Sequence, residues 1–176
     1  MRKIALIGTH GTGKTTLAHE LTAESKKIGI NTEFLGEVVR NCPLPINEKQ
    51  TIEASEWIIH SQYVKELEHT GRCDLLVCDR SIVDGYVYFY NKFGRLPNLE
   101  RFVKDKARTY KYLIRVPINQ EFLKDDGLRS IDPIFQNNID KSFDFILQEL
   151  NIPHVNYENK EQAMQLIKEL YGIKTP

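Results

Sequence analysis

The chain has 176 residues, 41% hydrophobic and 27% charged, with 24 Lys+Arg set against 24 Asp+Glu for a formal net charge of zero. That length suits one domain with a sizeable core, and the composition is that of an ordinary globular protein. The neutral balance counts against duplex nucleic acid as the main partner, because basic residues supply most of that affinity.

Taken in order, "KIALIG" at 3–8 reads as a buried strand, and residues 14–27 read as a helix with Leu17 and Leu21 on one face. "TEFLGE" at 32–37 reads as a second strand, followed by the proline-broken loop "CPLPIN" and a helix over 51–69. "DLLVC" at 74–78 is a third strand, flanked by Cys73 and Cys78, which read as small core residues together with a distant Cys42 rather than as metal ligands. Helical spacing returns over 81–93 and 98–106, then "YKYLIRV" at 110–116 gives a fourth strand. A helix over 133–149, a fifth strand "HVNY" at 154–157 and a helix over 160–171 complete the order. Continuously apolar strands separated by helices predict a parallel sheet covered on both faces, with ligands beyond the carboxyl ends of its strands. No apolar run approaches the roughly 20 residues of a membrane span, and the sequence starts on a strand rather than a signal segment. A cytoplasmic location with no membrane partner is the expectation.

The first strand runs into Gly8-Thr9-His10-Gly11-Thr12-Gly13-Lys14-Thr15-Thr16, which satisfies G-x-x-x-x-G-K-[ST] between a strand and a helix, the context the motif requires. Gly11 and Gly13 let backbone N–H groups turn inward as an anion nest, and the helix N-terminus adds its positive dipole end. Gly8, His10, Gly11, Thr12, Gly13, Lys14, Thr15 and Thr16 are therefore the expected ATP-binding residues, His10 as part of the loop with its side chain pointing away. Lys14 reaches toward the β- and γ-phosphates, and the Thr15 hydroxyl toward Mg²⁺. The one segment that could serve as a guanine-reading Asn-Lys-x-Asp, Asn91-Lys92-Phe93-Gly94, ends in glycine, which argues against a GTPase.

At this point the chain resembles the P-loop nucleoside and nucleotide kinases. "CDRSIVDGYVYFYNKF" at 78–93 is similar to the acidic-Arg-Ser segment of deoxynucleoside kinases and to the Asp-Arg segment of thymidylate kinases. "DDGLRSIDPIFQNNID" at 125–140 is similar to a lid segment in the P-loop family that contains ribosylnicotinamide kinases. The resemblance implies an α/β three-layer sandwich with a five-stranded parallel sheet, one kinase domain over 1–176 and a lid-like segment near 118–133. It implies transfer of the ATP γ-phosphate, with Mg²⁺, to a small acceptor, a nucleoside or a nucleotide.

Asp79 at the end of the third strand is the candidate magnesium anchor beside Thr15, or else a helix cap or a partner of Arg80. Arg80 is the candidate for steadying the transferring phosphoryl group, with structural pairing to Asp79 or Glu37 as the alternative. In similar kinases a carboxylate placed like Glu37 serves as general base toward an acceptor hydroxyl; if the acceptor is itself a phosphate, Arg40 becomes its clamp. For the acceptor pocket, between the 51–69 and 81–93 helices, the candidates are Trp57, Gln62 and Tyr86, with Tyr63 and Tyr90 also available; for any one of these aromatics the core is the competing and more usual place. Gln62 would read a ring edge through its amide, as a similarly placed helix glutamine does in the resembling nucleoside kinases. Arg129 is the candidate closing cation of the lid, with Lys124 second. The alternatives kept open are a kinase acting on a nucleic-acid hydroxyl and a non-catalytic nucleotide-binding regulatory module. Self-association into a homodimer is an open partner option.

Overall fold

A computed structural model of the protein describes residues 1–119, 122 and 130–173. In chain order the elements are β1 (Arg2–Ile7), α1 (Lys14–Lys27), β2 (Thr32–Leu35), α2 (Ile52–Glu68), β3 (Leu75–Asp79), α3 (Ile82–Phe93), α4 (Pro97–Ala107), β4 (Tyr112–Arg115), α5 (Pro133–Glu149), β5 (Val155–Asn156) and α6 (Lys160–Leu170). Two short 3₁₀ turns, Val38–Asn41 and Asn47–Lys49, lie between β2 and α2.

The five strands are ordered β2-β3-β1-β4-β5, and every pairing is parallel. β1 is central, with Leu6 opposite Asp79 on one side and Ile114 on the other. Its side chains alternate between two cores. Ala5 and Ile7 join Leu76, Cys78 and residues of α2, α3, α4 and α5, while Ile4 and Leu6 join Leu75, Val77, Ile114 and residues of α1 and α6. Both faces are therefore covered, which is why β1 reads as an unbroken apolar run. The architecture is the expected three-layer α/β sandwich. β2 is shorter than expected: the ladder stops at Leu35, and Gly36 and Glu37 turn away toward the 3₁₀ turn.

Helix starts place the chemistry. α1 begins directly from Gly13, which sits in the left-handed region at φ 82°, with no side-chain cap and no acidic residue in the first turn. Its first N–H groups are left for an anion. α3 instead begins with a capping box: Ser81 accepts from Val83 N, and Asp84 accepts from Ser81 N at 2.8 Å.

Candidate active site

The glycines of the loop adopt backbone that other residues avoid. Gly8 has φ 144°, Gly11 62° and Gly13 82°. A Cβ on Gly8 would stand 2.6 Å from Val116 O, so that position excludes any side chain. The cavity above this backbone is lined by Gly11 to Thr16, Glu37, Asp79, Arg80 and Phe122. Lys14 is buried there, donating to Thr9 O and, at 2.9 Å, to Thr12 Oγ1. Burial, reinforced by the positive charge of Arg80, pulls its ammonium from 10.5 down to about 7. Thr15 Oγ1 donates to Asp79 Oδ2 at 2.5 Å, so a hydroxyl and a carboxylate from different elements meet beside the loop.

A second cavity adjoins the first. Its walls include His10, Glu37, Val38, Arg40, Ile58, Gln62, Arg80 and Tyr88. Glu37 and Arg80 line both. Glu37 is held by two guanidinium groups: Arg80 Nε donates to Oε1, and Arg40 Nε donates to Oε2 at 2.9 Å. Burial pushes the Glu37 carboxyl up, but the charge and hydrogen bond of Arg80, then Lys14 and Arg40, bring it down to about 2. Arg80 occupies the left-handed region at φ 81°, a strained choice for a residue with a long side chain. Its guanidinium also reaches Gly8 O at 3.4 Å, lies 3.7 Å from Asp84 Oδ1, and sits 5.4 Å from the centre of the Tyr88 ring.

Tyr88 ties the two cavities together. Its hydroxyl accepts from His10 N at 3.2 Å and lies 2.8 Å from His10 Nδ1. From the other side, Gln136 Nε2 donates to His10 O at 2.8 Å, and Thr9 Oγ1 donates to Gln136 O at 3.2 Å. The start of the loop is therefore bolted to α3 and α5. Asp84 completes this support by accepting from Gly8 N at 3.1 Å.

A family model described as an AAA domain matches residues 3–162. The chain belongs to the AAA-domain family. Among solved structures it is similar to a deoxyadenosine kinase from M. mycoides with bound dATP, at 16% identity and TM-score 0.63, over 98% of this chain and all of that one. It is similar to the same enzyme with the products dCMP and a flexible dCDP, at 15% identity and TM-score 0.61, over 98% of this chain and 100% of that one. It is also similar to NadR protein in complex with NR, at 18% identity and TM-score 0.71, over 99% of this chain but 53% of that one. No curated protein sequence matches it. At these identities the likeness is one of fold, and the fold is that of the P-loop nucleoside and nucleotide kinases. Among the described residues no helix is long and apolar enough to cross a membrane.

Most of the AAA-domain chain's expected site residues converge. Gly11, Thr12, Gly13, Lys14, Thr15 and Thr16 surround one cavity with Asp79, and Glu37, Arg40, Gln62 and Arg80 line the other. Arg80 pairs with Glu37 and not with Asp79, because the Asp79 carboxylate faces Thr15. Two loop residues and two aromatics take other places than the cavities proposed for them, the aromatics as core residues. Gly8 does not line the phosphate cavity; its N–H is taken by Asp84, so it shapes the loop. His10 points its ring to the second cavity, and its N–H is taken by Tyr88. Tyr86 is fully buried in the core, donating to Glu100 Oε1 at 2.7 Å, and does not line the acceptor cavity. Trp57 packs against the same core, and its neighbour Ile58 takes the cavity position. Tyr63 lies edge-on to Phe102 and Tyr90 stacks on Phe145, both away from the cavity lining. Arg129 and Lys124 lie outside the described residues, as does most of the 118–133 segment.

Residues absent from the sequence-based set are Tyr88, Asp84 and Gln136. Asp84 was announced by Ser81-x-x-Asp84, a capping-box spacing. Gln136 carried no signal, since its partner lies 126 positions away.

Proposed function

We propose that this chain transfers the γ-phosphoryl group of ATP to a hydroxyl of a small, nucleoside-like acceptor by in-line displacement, acting as one P-loop kinase domain. The observation that carries this is the junction: the phosphate-loop cavity and the neighbouring, partly apolar cavity share Glu37 and Arg80. Two molecules bound side by side would meet at a carboxylate and a guanidinium, the groups that phosphoryl transfer to a hydroxyl needs. The fold likeness to a deoxyadenosine kinase with bound dATP, and to NadR protein in complex with NR, supports the same reading.

The loop amides and the α1 N-terminus would cradle the triphosphate, and Lys14, displaced from Thr9 and Thr12, would turn to its outer phosphates. Glu37, ionised at any pH above about 2, would accept the hydrogen bond of the acceptor hydroxyl and orient its oxygen. So low a value makes it a weak proton acceptor before transfer, so its main work is orientation until the bond to phosphorus forms. Arg40 and Arg80 both already face Glu37, and Asp84 lies 3.7 Å from Arg80, so two carboxylates stand against the two guanidinium groups. An uncharged hydroxyl acceptor fits this balance better than a phosphate, which would have to draw an arginine away. Thr15 and Asp79 offer two hard oxygen donors 2.5 Å apart beside the loop, which fits a Mg²⁺ that takes its remaining ligands from phosphate and water. When bound there, that ion neutralises charge on the phosphate oxygens.

The decisive experiment offers labelled ATP with nucleosides, nucleoside monophosphates and short oligonucleotides in turn. Label transfer to nucleosides is expected. Transfer only to monophosphates would overturn the charge-balance argument, and transfer to oligonucleotides would favour a nucleic-acid kinase. ATP binding without transfer to any of them would leave a regulatory nucleotide-binding module.

A further inference from the structure

Behind the second cavity lies a buried charged pair that phosphoryl transfer does not use. Lys3, on β1, donates through Nζ to Glu66 Oε2, on α2, at 2.6 Å, and the two residues are only 8% and 1% exposed. The Tyr110 hydroxyl donates to Glu66 Oε1, and the Lys3 ammonium lies 4.5 Å from the centre of the Tyr110 ring. Removing two charges from water costs more than most such pairs return, so the pair is weakly explained by stability alone.

On the cavity side the pair touches Gln62. Its Nε2 donates to Glu66 Oε1 at 3.0 Å and to Arg80 O at 3.4 Å. A side-chain amide has two N–H donors on nitrogen and a carbonyl acceptor at its other end. Both neighbours of Nε2 are acceptors only: a carboxylate bridged to Lys3, and a main-chain carbonyl. Turning the amide over would set Oε1 against two oxygens with no hydrogen between them. The orientation is therefore dictated by chemistry, and what Gln62 retains for the cavity it lines is its carbonyl oxygen.

We propose that the Lys3–Glu66 pair positions Gln62 as an acceptor-only group, so that the cavity selects molecules presenting an N–H donor on a ring edge, such as an exocyclic amino or a carboxamide group. This rests on the second cavity being the acceptor site. A glutamine free to rotate would serve ligand donors and acceptors alike. One with its nitrogen tethered discriminates, because a ligand lacking the donor leaves a buried carbonyl without a partner.

The test uses matched nucleosides: adenosine against purine riboside, which lacks the 6-amino group, and cytidine against its 4-deamino analogue. Binding by calorimetry and transfer from labelled ATP are measured in parallel. The wild-type chain is expected to favour each amino compound by about 10–100-fold in kcat/KM. In Gln62→Met, similar in size but without the acceptor, the ratio falls to near one through loss of the amino compound. Lys3→Met combined with Glu66→Gln removes both charges together, leaves no lone buried ion, and gives Gln62 a partner that can also donate. With the fold checked by thermal melting, its preference is expected to drop as well. Equal handling of both members by the wild-type chain would overturn the proposal, as would a preference that survives in either variant. Preferential binding of the amino compounds without any transfer would keep this inference and remove the phosphotransfer reading. Neither binding nor transfer of any member would remove both.

Discussion

In the phosphate-loop cavity most of the lining residues come from one unbroken stretch, residues 11–16, joined by Glu37, Asp79, Arg80 and Phe122. In the neighbouring cavity they come from the β2 end, the 46–50 segment, α2, α3 and the loop itself, and its polar side chains are largely tied to other side chains. The first cavity is built by backbone geometry, so its weak points are the residues that permit or complete that geometry. The second is built by tethering: Glu37 to two arginines, Tyr88 to His10, Gln62 to Glu66. A substitution there re-aims a neighbour as well as removing a contact.

The sharpest break between the two regions is Lys14→Ala. Loss of the one ammonium inside the loop is expected to lower turnover by about 10³-fold. Because Lys14 is buried and its charge disfavoured there, removing it should leave the melting temperature unchanged or raised. Turnover within tenfold of wild type would take the loop out of the mechanism; a large melting loss would make Lys14 a structural residue.

Glu37→Gln acts on the shared wall and is expected to cost about 10²-fold in kcat. It also removes the carboxylate that both arginines face and leaves Asp84, 3.7 Å away, as the nearer counter-charge of Arg80. Stability should therefore fall, by at most about 3–5 kcal/mol. The sign of the pH dependence separates the roles. Glu37 drops from 4.5 to about 2 on folding, so its stabilising contribution is complete above pH 4.5 and lost as pH falls toward 2. The wild-type rate should therefore show no acid limb from this carboxylate between pH 5 and 9, and a limb near pH 6 that Glu37→Gln abolishes would contradict the geometry. Smaller still is Tyr88→Phe, which cuts the tie between the regions while keeping the ring under Arg80. About a 5–10-fold loss in kcat/KM is expected, divided between ATP and acceptor. A change confined to the acceptor KM would show that the two cavities work independently.

The same contrast explains what the sequence disclosed. The loop, the strand ends and the layer order were readable because each depends on residues close together: an apolar run, a glycine spacing, a helix start. Even the pair Thr15–Asp79 followed from the rule that parallel strand ends converge. The tyrosines did not yield to such rules. Tyr86, Tyr88 and Tyr90 alternate along α3, and residues two apart on a helix point about 200° from one another. Which of them meets the cavity depends on how α3 is rotated. That rotation is set by the Ser81–Asp84 cap and by Gly85, where an added Cβ would stand 2.7 Å from Ile59 Cγ1 on α2. The close approach of the helices there buries Tyr86 and leaves Tyr88 to the site. Gln62 was identified as a cavity residue but not its polarity, which is decided by Glu66 one turn along and by Lys3 on another element.

The mildest effect sharpens the comparison from the loop side, because it concerns a proton rather than a contact. With the Lys14 value near 7, the unfolded chain holds more protons than the folded one between about pH 7 and 10.5, so stability should rise with pH across that window. A triphosphate arriving beside Lys14 supplies the negative charge that burial withheld, and should return the ammonium to full protonation. ATP binding should therefore take up close to one proton at pH 8 and only about a tenth of one at pH 6 through Lys14, with affinity weakening about tenfold as pH rises over that interval. Calorimetry in buffers of different ionisation enthalpy measures this directly. Lys14→Arg, charged at every accessible pH, should bind without the uptake. Uptake that persists in Lys14→Arg would assign the proton elsewhere, with His10 the nearest titratable group on the loop; its absence in the wild-type chain would mean that Lys14 is already charged before ATP arrives, and that the loop is wetter than its burial implies.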